Sequence, residues 1–359
     1  KTAMKKWSIG LLAAILATVI VYGQRATIAE KLVAAALSRQ MATNQVESLE
    51  DGLHVALCGA GGPMPAPRAS GPCVAIVAGT QLLIVDAGTD GARNLGRLGY
   101  PIGAVDGVFL THFHSDHIDG LGELATGRWA TGDHATPLPV FGPEGVKRVV
   151  AGFNAAYAND FVYRHEHHGD LVAPSAAAGL TAIPFVAPPN GDLTTVFEGD
   201  GLVVEALRVD HEPVSPAVGY LFSYAGRRVL ISGDTSQSAN ITRFAEGVDL
   251  LIHEALSPEL VGMMEATAKD LGNPIFAKIM HDIPDYHASP REAAKTARDA
   301  GVGHLLYYHI VPPIVVPGQE TLWLSGAEEI FPNYTVGYDG VSFSLPANST
   351  EINQTRKGM

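Results

Sequence analysis

The tightest constraint on what this chain can fold into is one heptapeptide, Thr111-His112-Phe113-His114-Ser115-Asp116-His117, set directly after the apolar run VDGVFL at 105–110. Four side chains able to ligate a metal fall within six residues, and a strand delivers them. On extended backbone, residues two apart point the same way, so His112 and His114 can reach one ion. A turn after His114 swings Asp116 and His117 towards a second. Imidazole and carboxylate ligands suit zinc and related divalent ions. The plain alternative, a chance run of surface histidines, fits poorly with this placement at a strand end.

The rest of the chain reads as strands and helices in two halves. HVALCGAGG, CVAIVAG and QLLIVDAG precede the heptapeptide, and LVVEALRV, VGYLFSYAG, RRVLISGD, VDLLIHEA and HLLYYHI follow it. Each is a short apolar run bounded by turn residues. Residues 144–160 read as a helix, 170–200 as loop with short strand, and 289–300 as a helix with Ser289 as N-cap, Pro290 at its first position and Gly301 after its end. Strand clusters in two halves, each followed by helices, predict an αββα sandwich: two packed mixed sheets with helices on the outer faces. The expected organisation is a catalytic domain over 51–345, a linker helix over 27–50 and a flexible polar tail over 346–359.

Composition bounds the partners. With 47% hydrophobic and 17% charged residues the chain can bury a sizeable core. A net charge of −13 offers no broad electrostatic footprint for a phosphate backbone, so nucleic acid is not the expected partner. Lys5 and Lys6 followed by an apolar stretch over 7–22 form the pattern of a secretory signal or, uncleaved, of an N-terminal membrane anchor over 1–26. Either reading places the catalytic domain outside the cytoplasm, in the periplasm or held at the membrane. The two cysteines, Cys58 and Cys73, can form one bridge if they face each other on neighbouring strands. A dimer is compatible with this composition, which does not itself define the oligomer.

The heptapeptide resembles the metallo-β-lactamase superfamily, and the likeness extends over roughly residues 53–315. His211 in DHEPVSPAVGY, Asp234 in LISGDTS, His253-Glu254-Ala255 and His309 in LLYYHIVPP stand in the order of its ribonuclease Z and arylsulfatase branch; GAGGPMPAPRASGPC and LLIVDAG are similar to that branch too. The resemblance implies that His112, His114 and His211 hold one divalent ion, that Asp116, His117 and His309 hold another, and that Asp234 bridges them. Zinc is expected first, manganese or iron next. It implies a catalytic role for Asp116, orienting a hydroxide held between the ions, and for His253, assisting the leaving group. Asp86 is expected to support a ligand histidine, and His281 and His287 are the candidates for contacting substrate. No Gly/Pro-rich basic arm of the kind that grips tRNA in this branch is evident between His117 and His211. The function expected is hydrolysis of a small phosphodiester or sulfate ester. Behind it stand a lactonase, carboxylesterase or β-lactamase-like amidase, and a non-catalytic metal-binding protein.

Overall fold

The computed structural model describes residues 22–357. The signal or anchor expectation falls mostly on residues outside that range; among the described residues no helix is long and apolar enough to cross a membrane. The described residues fall into two compact units, one ending at Asn44 and the other beginning at Gln45. In the first, an Ala-rich stretch, with a high intrinsic preference for helix, forms the helix Arg25–Ala42. The Thr43 hydroxyl donates to the Arg39 carbonyl at its end.

The second unit holds two sheets. The first contains β1 (Gly52–Gly59), β2 (Cys73–Ala78), β3 (Gln81–Val85), β4 (Val105–Phe109), β5 (Leu138–Gly142) and β6 (Leu180–Pro184), joined at its other edge by β14 (Val341–Pro346) and β15 (Asn353–Arg356). The second contains β7 (Leu193–Gly199), β8 (Leu202–Arg208), β9 (Val218–Tyr224), β10 (Arg227–Ile231), β11 (Leu250–Leu256), β12 (His304–Val311) and β13 (Tyr334–Val336). Both sheets are mixed: β3 to β6 and β10 to β13 run parallel, the others antiparallel. Alternation along each strand builds the layers. Leu53, Val55 and Leu57 of β1 meet Val204, Phe222 and Ile252 between the sheets, whereas Ala56 and Cys58 face the helix Gly91–Leu98. Strands buried on both faces read as unbroken apolar runs, which is why β1 to β3 stand out in the sequence. The helix Pro290–Ala300 has the expected cap, with Ser289 and Glu292 in a reciprocal capping box and Gly301 left-handed at its end.

Two local features depart from expectation. The helix expected over 144–160 runs on as Val146–His168, so the histidines of RHEHH form its last turn. The segment 346–359 is not loose throughout. Residues 353–356 pair with β14, and the buried Arg227 guanidinium donates to the carbonyls of Pro346, Ser349 and Glu351 and to Asp249. Those partners lie far from Arg227 in sequence and leave no local signal.

Cys58 and Cys73 form a buried disulfide, placed by a register shift of β1 between Leu57 and Gly59. It closes a segment that includes Met64, which lines a cavity with His114 and Asp116. For a sequence separation of 15, the double serine variant is expected to lose about 3 kcal/mol of stability. A thermal melt of that variant, or of the native chain with and without reductant, measures it. An unchanged melting temperature would show that the bridge does not constrain the fold.

Candidate metal centre

Strand β4 is apolar and buried except at Asp106, and it leads into the buried Leu110. Beyond it Asp86, at the end of β3 with φ +56°, turns its carboxylate under the histidine segment. Aspartate tolerates this left-handed region better than most residues. The Asp86 carboxylate accepts from the Thr111 N–H, the Thr111 hydroxyl and His117 Nδ1–H, each at 2.8 Å. His114 remains extended and caps a single helical turn, Ser115–Ile118, which swings Asp116 and His117 inward. Gly88 packs so tightly beneath that turn that a Cβ there would lie 2.5 Å from the Asp116 carbonyl oxygen.

The second sheet supplies the opposing side. His211 follows β8, Asp234 follows β10, and His309 lies within β12. Against β11, the β12 register shifts so that Tyr308 and Ile310 oppose consecutive residues, leaving His309 as the extra residue with φ +46°. Such a bulge re-aims a side chain, here into the gap between the sheets. Asp234 Oδ2 then lies 3.3 Å from His117 Nε2, 3.3 Å from His309 Nε2, 3.8 Å from His112 Nε2 and 3.9 Å from His211 Nε2. Asp116 Oδ2 lies 3.3 Å from His309 Nε2 and 3.6 Å from His117 Nε2. His112 Nε2 is 3.0 Å from His114 Nδ1.

The hydrogen bonds behind these rings decide what can sit among them. His117 Nδ1–H donates to Asp86. His211 Nδ1–H donates to the Tyr286 carbonyl at 2.9 Å, and His112 Nδ1–H to Thr111 Oγ1 at 3.1 Å, because that hydroxyl's own proton goes to Asp86. These tautomers follow from the acceptors present. Three Nε2 lone pairs therefore converge on carboxylate oxygens, which is repulsive unless a cation stands between them. His117 Nε2 and Asp234 Oδ1 are buried and have no hydrogen-bond partner. Two ligands about 2.0–2.1 Å from one tetrahedral ion lie roughly 3.4 Å apart, close to the spacings found here. The donor set thus fits divalent metal. His112, His114, His211 and Asp234 form one group able to hold an ion; Asp116, His117 and His309 form another.

Without a metal, electrostatics drive protons into the same places. Burial favours neutral His117, but the charges of Asp234 and Asp86 outweigh it and raise its pKa well above the usual histidine value. Burial also opposes ionisation of Asp234, yet His309 and His117 hold that carboxyl well below its ordinary range. Burial pushes His112, His114 and His211 down.

The site opens into a cavity of about 320 Å³ lined by His114, Asp116, Asp234, His309, Tyr286 and His287, with Met64, Phe276 and Met280 opposite. Of the other candidates, only His287 reaches it. Its Nδ1–H donates to Glu254 Oε1 at 3.0 Å, and that oxygen also accepts from the Thr235 and Ala288 N–H groups. His253 does not line the cavity. Strand alternation turns it with Leu251 towards the helix side of β11, fully buried, its Nδ1–H on the Glu254 carbonyl at 2.7 Å. His281 is 69% exposed on the helix Pro274–Asp282 and faces Glu265 at 3.4 Å. Sequence reasoning named His253 and passed over Glu254. The usable signal was a lone carboxylate inside the buried strand LLIHEAL, which needs partners.

Because Asp86 fixes both the ring and the tautomer of His117, Asp86→Ala is expected to weaken metal binding by about 10–100-fold. Titration with a competing chelator reads this; undiminished affinity would remove Asp86 from the site.

The sequence pattern of the metallo-beta-lactamase superfamily matches residues 66–300. A protein named ribonuclease Z from Mycobacterium bovis is 35% identical over 290 residues, covering 80% of this chain and 96% of that protein. Another from Mycobacterium avium is 34% identical over 281 residues, covering 78% and 93%. Among solved structures, the metallo-beta-lactamase fold protein YhfI from Bacillus subtilis has a TM-score of 0.58 at 20% identity, covering 81% of this chain and 99% of its own. The short form of human tRNase Z has a TM-score of 0.55 at 20% identity, covering 82% and 99%. The exclusion of nucleic acid as a partner is thereby overturned. Relatives alike over nearly their whole length are ribonucleases by name, and a charge summed over the chain does not describe the field at one cavity. On the similarity in sequence and the shared sandwich alike, this chain belongs to the metallo-beta-lactamase superfamily, on the branch that holds the ribonuclease Z proteins.

Proposed function

We propose that this protein is a dinuclear metal-dependent phosphodiesterase. The observation that carries the reading is the Asp234 carboxylate facing four imidazoles, with unpartnered buried atoms at its centre. His112, His114 and His211 would hold one ion, Asp116, His117 and His309 the other, and Asp234 both. Zinc suits this His-rich set best, with manganese or iron as substitutes. Bound there, a pair of divalent ions would supply an acidified water and positive charge against the phosphoryl oxygens.

The chain's own groups do the rest. Asp116, at the cavity wall, orients the attacking water and accepts its proton. Water oxygen adds to phosphorus and the bond from phosphorus to the leaving oxygen breaks. His287, aimed by Glu254, gives its proton to that oxygen. Phosphodiester and water become phosphomonoester and alcohol. The ribonuclease Z relatives support a phosphodiester over a sulfate ester or lactone, and RNA is a substrate to test beside small diesters. An exported location belongs to the same proposal, supported by the basic-apolar pattern of residues 5–22 and the buried disulfide, which suits an oxidising compartment.

The deciding experiment is a panel of aryl phosphodiesters, short RNA, aryl sulfates, lactones and β-lactams on metal-analysed protein. Diester turnover that chelation abolishes and zinc or manganese restores is expected. Turnover confined to lactones or β-lactams would overturn the proposal.

A further inference from the structure

A second cavity, of about 710 Å³, adjoins the first along the helices Pro258–Asp270 and Pro274–Asp282. Met64 and Phe276 line both. They rest on one small core of Leu256, Val261, Met280 and Val311, so the two spaces share a floor. The outer wall is apolar and open to solvent: Met263 is 60% exposed, Leu271 79% and Val315 58%.

The few polar side chains in the lining are already engaged. The Thr267 hydroxyl donates to the Met263 carbonyl, the Asn273 carbonyl oxygen caps the Phe276 N–H, and the Gln319 amide bonds the backbone of Pro313, Val315 and Val316. The groove thus presents a ligand mainly with hydrocarbon and thioether. Its volume is that of a small-molecule site, and methionine adapts to apolar groups of varied shape. Scattered exposed apolar residues need no explanation, but a contiguous apolar groove does.

We propose that this groove is the subsite for a hydrocarbon portion of the substrate, making the preferred substrate a phosphodiester with a long-chain or aryl alcohol on one side. The inference rests on the phosphodiesterase reading and names its substrate class. The charged diester sits among Asp116, His287 and His309, while the apolar substituent passes between Met64 and Phe276 into the groove. Water leaves both surfaces, and binding gains with each methylene that enters.

The test is a series of methyl, butyl and octyl p-nitrophenyl phosphodiesters on metal-loaded protein. It is paired with the fluorescence of N-phenyl-1-naphthylamine, an apolar probe whose binding needs no chemistry. Each buried methylene is expected to raise kcat/KM about three- to fourfold, so octyl should exceed butyl by about tenfold if two of its four extra methylenes enter the groove and by about 80-fold or more if all four do. The double variant M263E/L271E alters only exposed positions and should bring the octyl-to-methyl ratio close to one and abolish probe binding. The double variant M263L/L271M should keep both.

A ratio near one in the native protein with turnover intact overturns the subsite and leaves the phosphodiesterase standing. A ratio that survives M263E/L271E does the same. Probe binding lost only in the charged variant, with no diester turned over, removes the reaction and keeps the groove as an apolar ligand site. A native dimer that the charged variant splits, with chain length immaterial, assigns the groove to a second copy and overturns the proposal.

Discussion

Replacing Asp234 with alanine is expected to lower bound divalent metal from two ions per chain to at most one, and to cut kcat/KM by on the order of 10³-fold or more. Among the described residues, Asp234 is the carboxylate that lies within 4 Å of imidazole nitrogens from both halves of the centre: His112 and His211 on one side, His117 and His309 on the other. Removing it takes a ligand from each ion and the negative charge that offsets repulsion between two cations roughly 3.5–4 Å apart. It also leaves His112 and His211 without the carboxylate they face, while Asp116 and Asp86 remain beside His117 and His309. Asp234→Asn keeps the shape without the charge and should fall between the two. Metal content by mass spectrometry, with turnover of bis(p-nitrophenyl) phosphate, reads both effects. Two ions retained with near-native turnover in Asp234→Ala would end the idea of a shared carboxylate.

The second large effect is expected at His287. Its proton matters in proportion to how poorly the leaving group departs without one. His287→Ala should therefore lower kcat by about 10²- to 10⁴-fold on a dinucleotide, which expels an alcohol, and far less on bis(p-nitrophenyl) phosphate, which expels a stable phenolate. Burial pulls the His287 pKa down, but Glu254 overrides it and raises the value to about 9, so in the metal-free protein the ring carries its proton at neutral pH. Glu254→Gln should reproduce part of the leaving-group dependence. His253→Ala should show none of it, because His253 lies on the other side of β11 and does not line the cavity. Equal losses on both substrates in His287→Ala would reduce His287 to a packing residue.

These predictions separate what a linear reading reaches from what it does not. The turn that carries Asp116 and His117 is encoded within the heptapeptide, and so is the alternation of His112 and His114. The helix Pro290–Ala300 announces itself through Ser289, Glu292 and Gly301, because capping is a contact between near neighbours. The choice among His253, His281 and His287 is different. Likeness to a motif singles out His253, yet strand parity turns its neighbour Glu254 towards the site instead. His281 lies six residues before His287, but the intervening helix end puts it on the surface. The edge strand β15 and the Arg227 clamp depend on partners that only the folded chain brings near.

Likeness to a family marked His211, Asp234 and His309; from its amino acids alone the chain determined that it forms two sheets and that a strand runs into a turn carrying His112, His114, Asp116 and His117. Those properties reside in periodicity, composition and short-range order. The tertiary structure decided that Asp234 faces both clusters, that a bulge turns His309 inward, that Glu254 orients His287, and that an apolar groove continues the cavity. Each depends on register and on the gap between two packed sheets, and a shift of one residue in either would point the same side chains away.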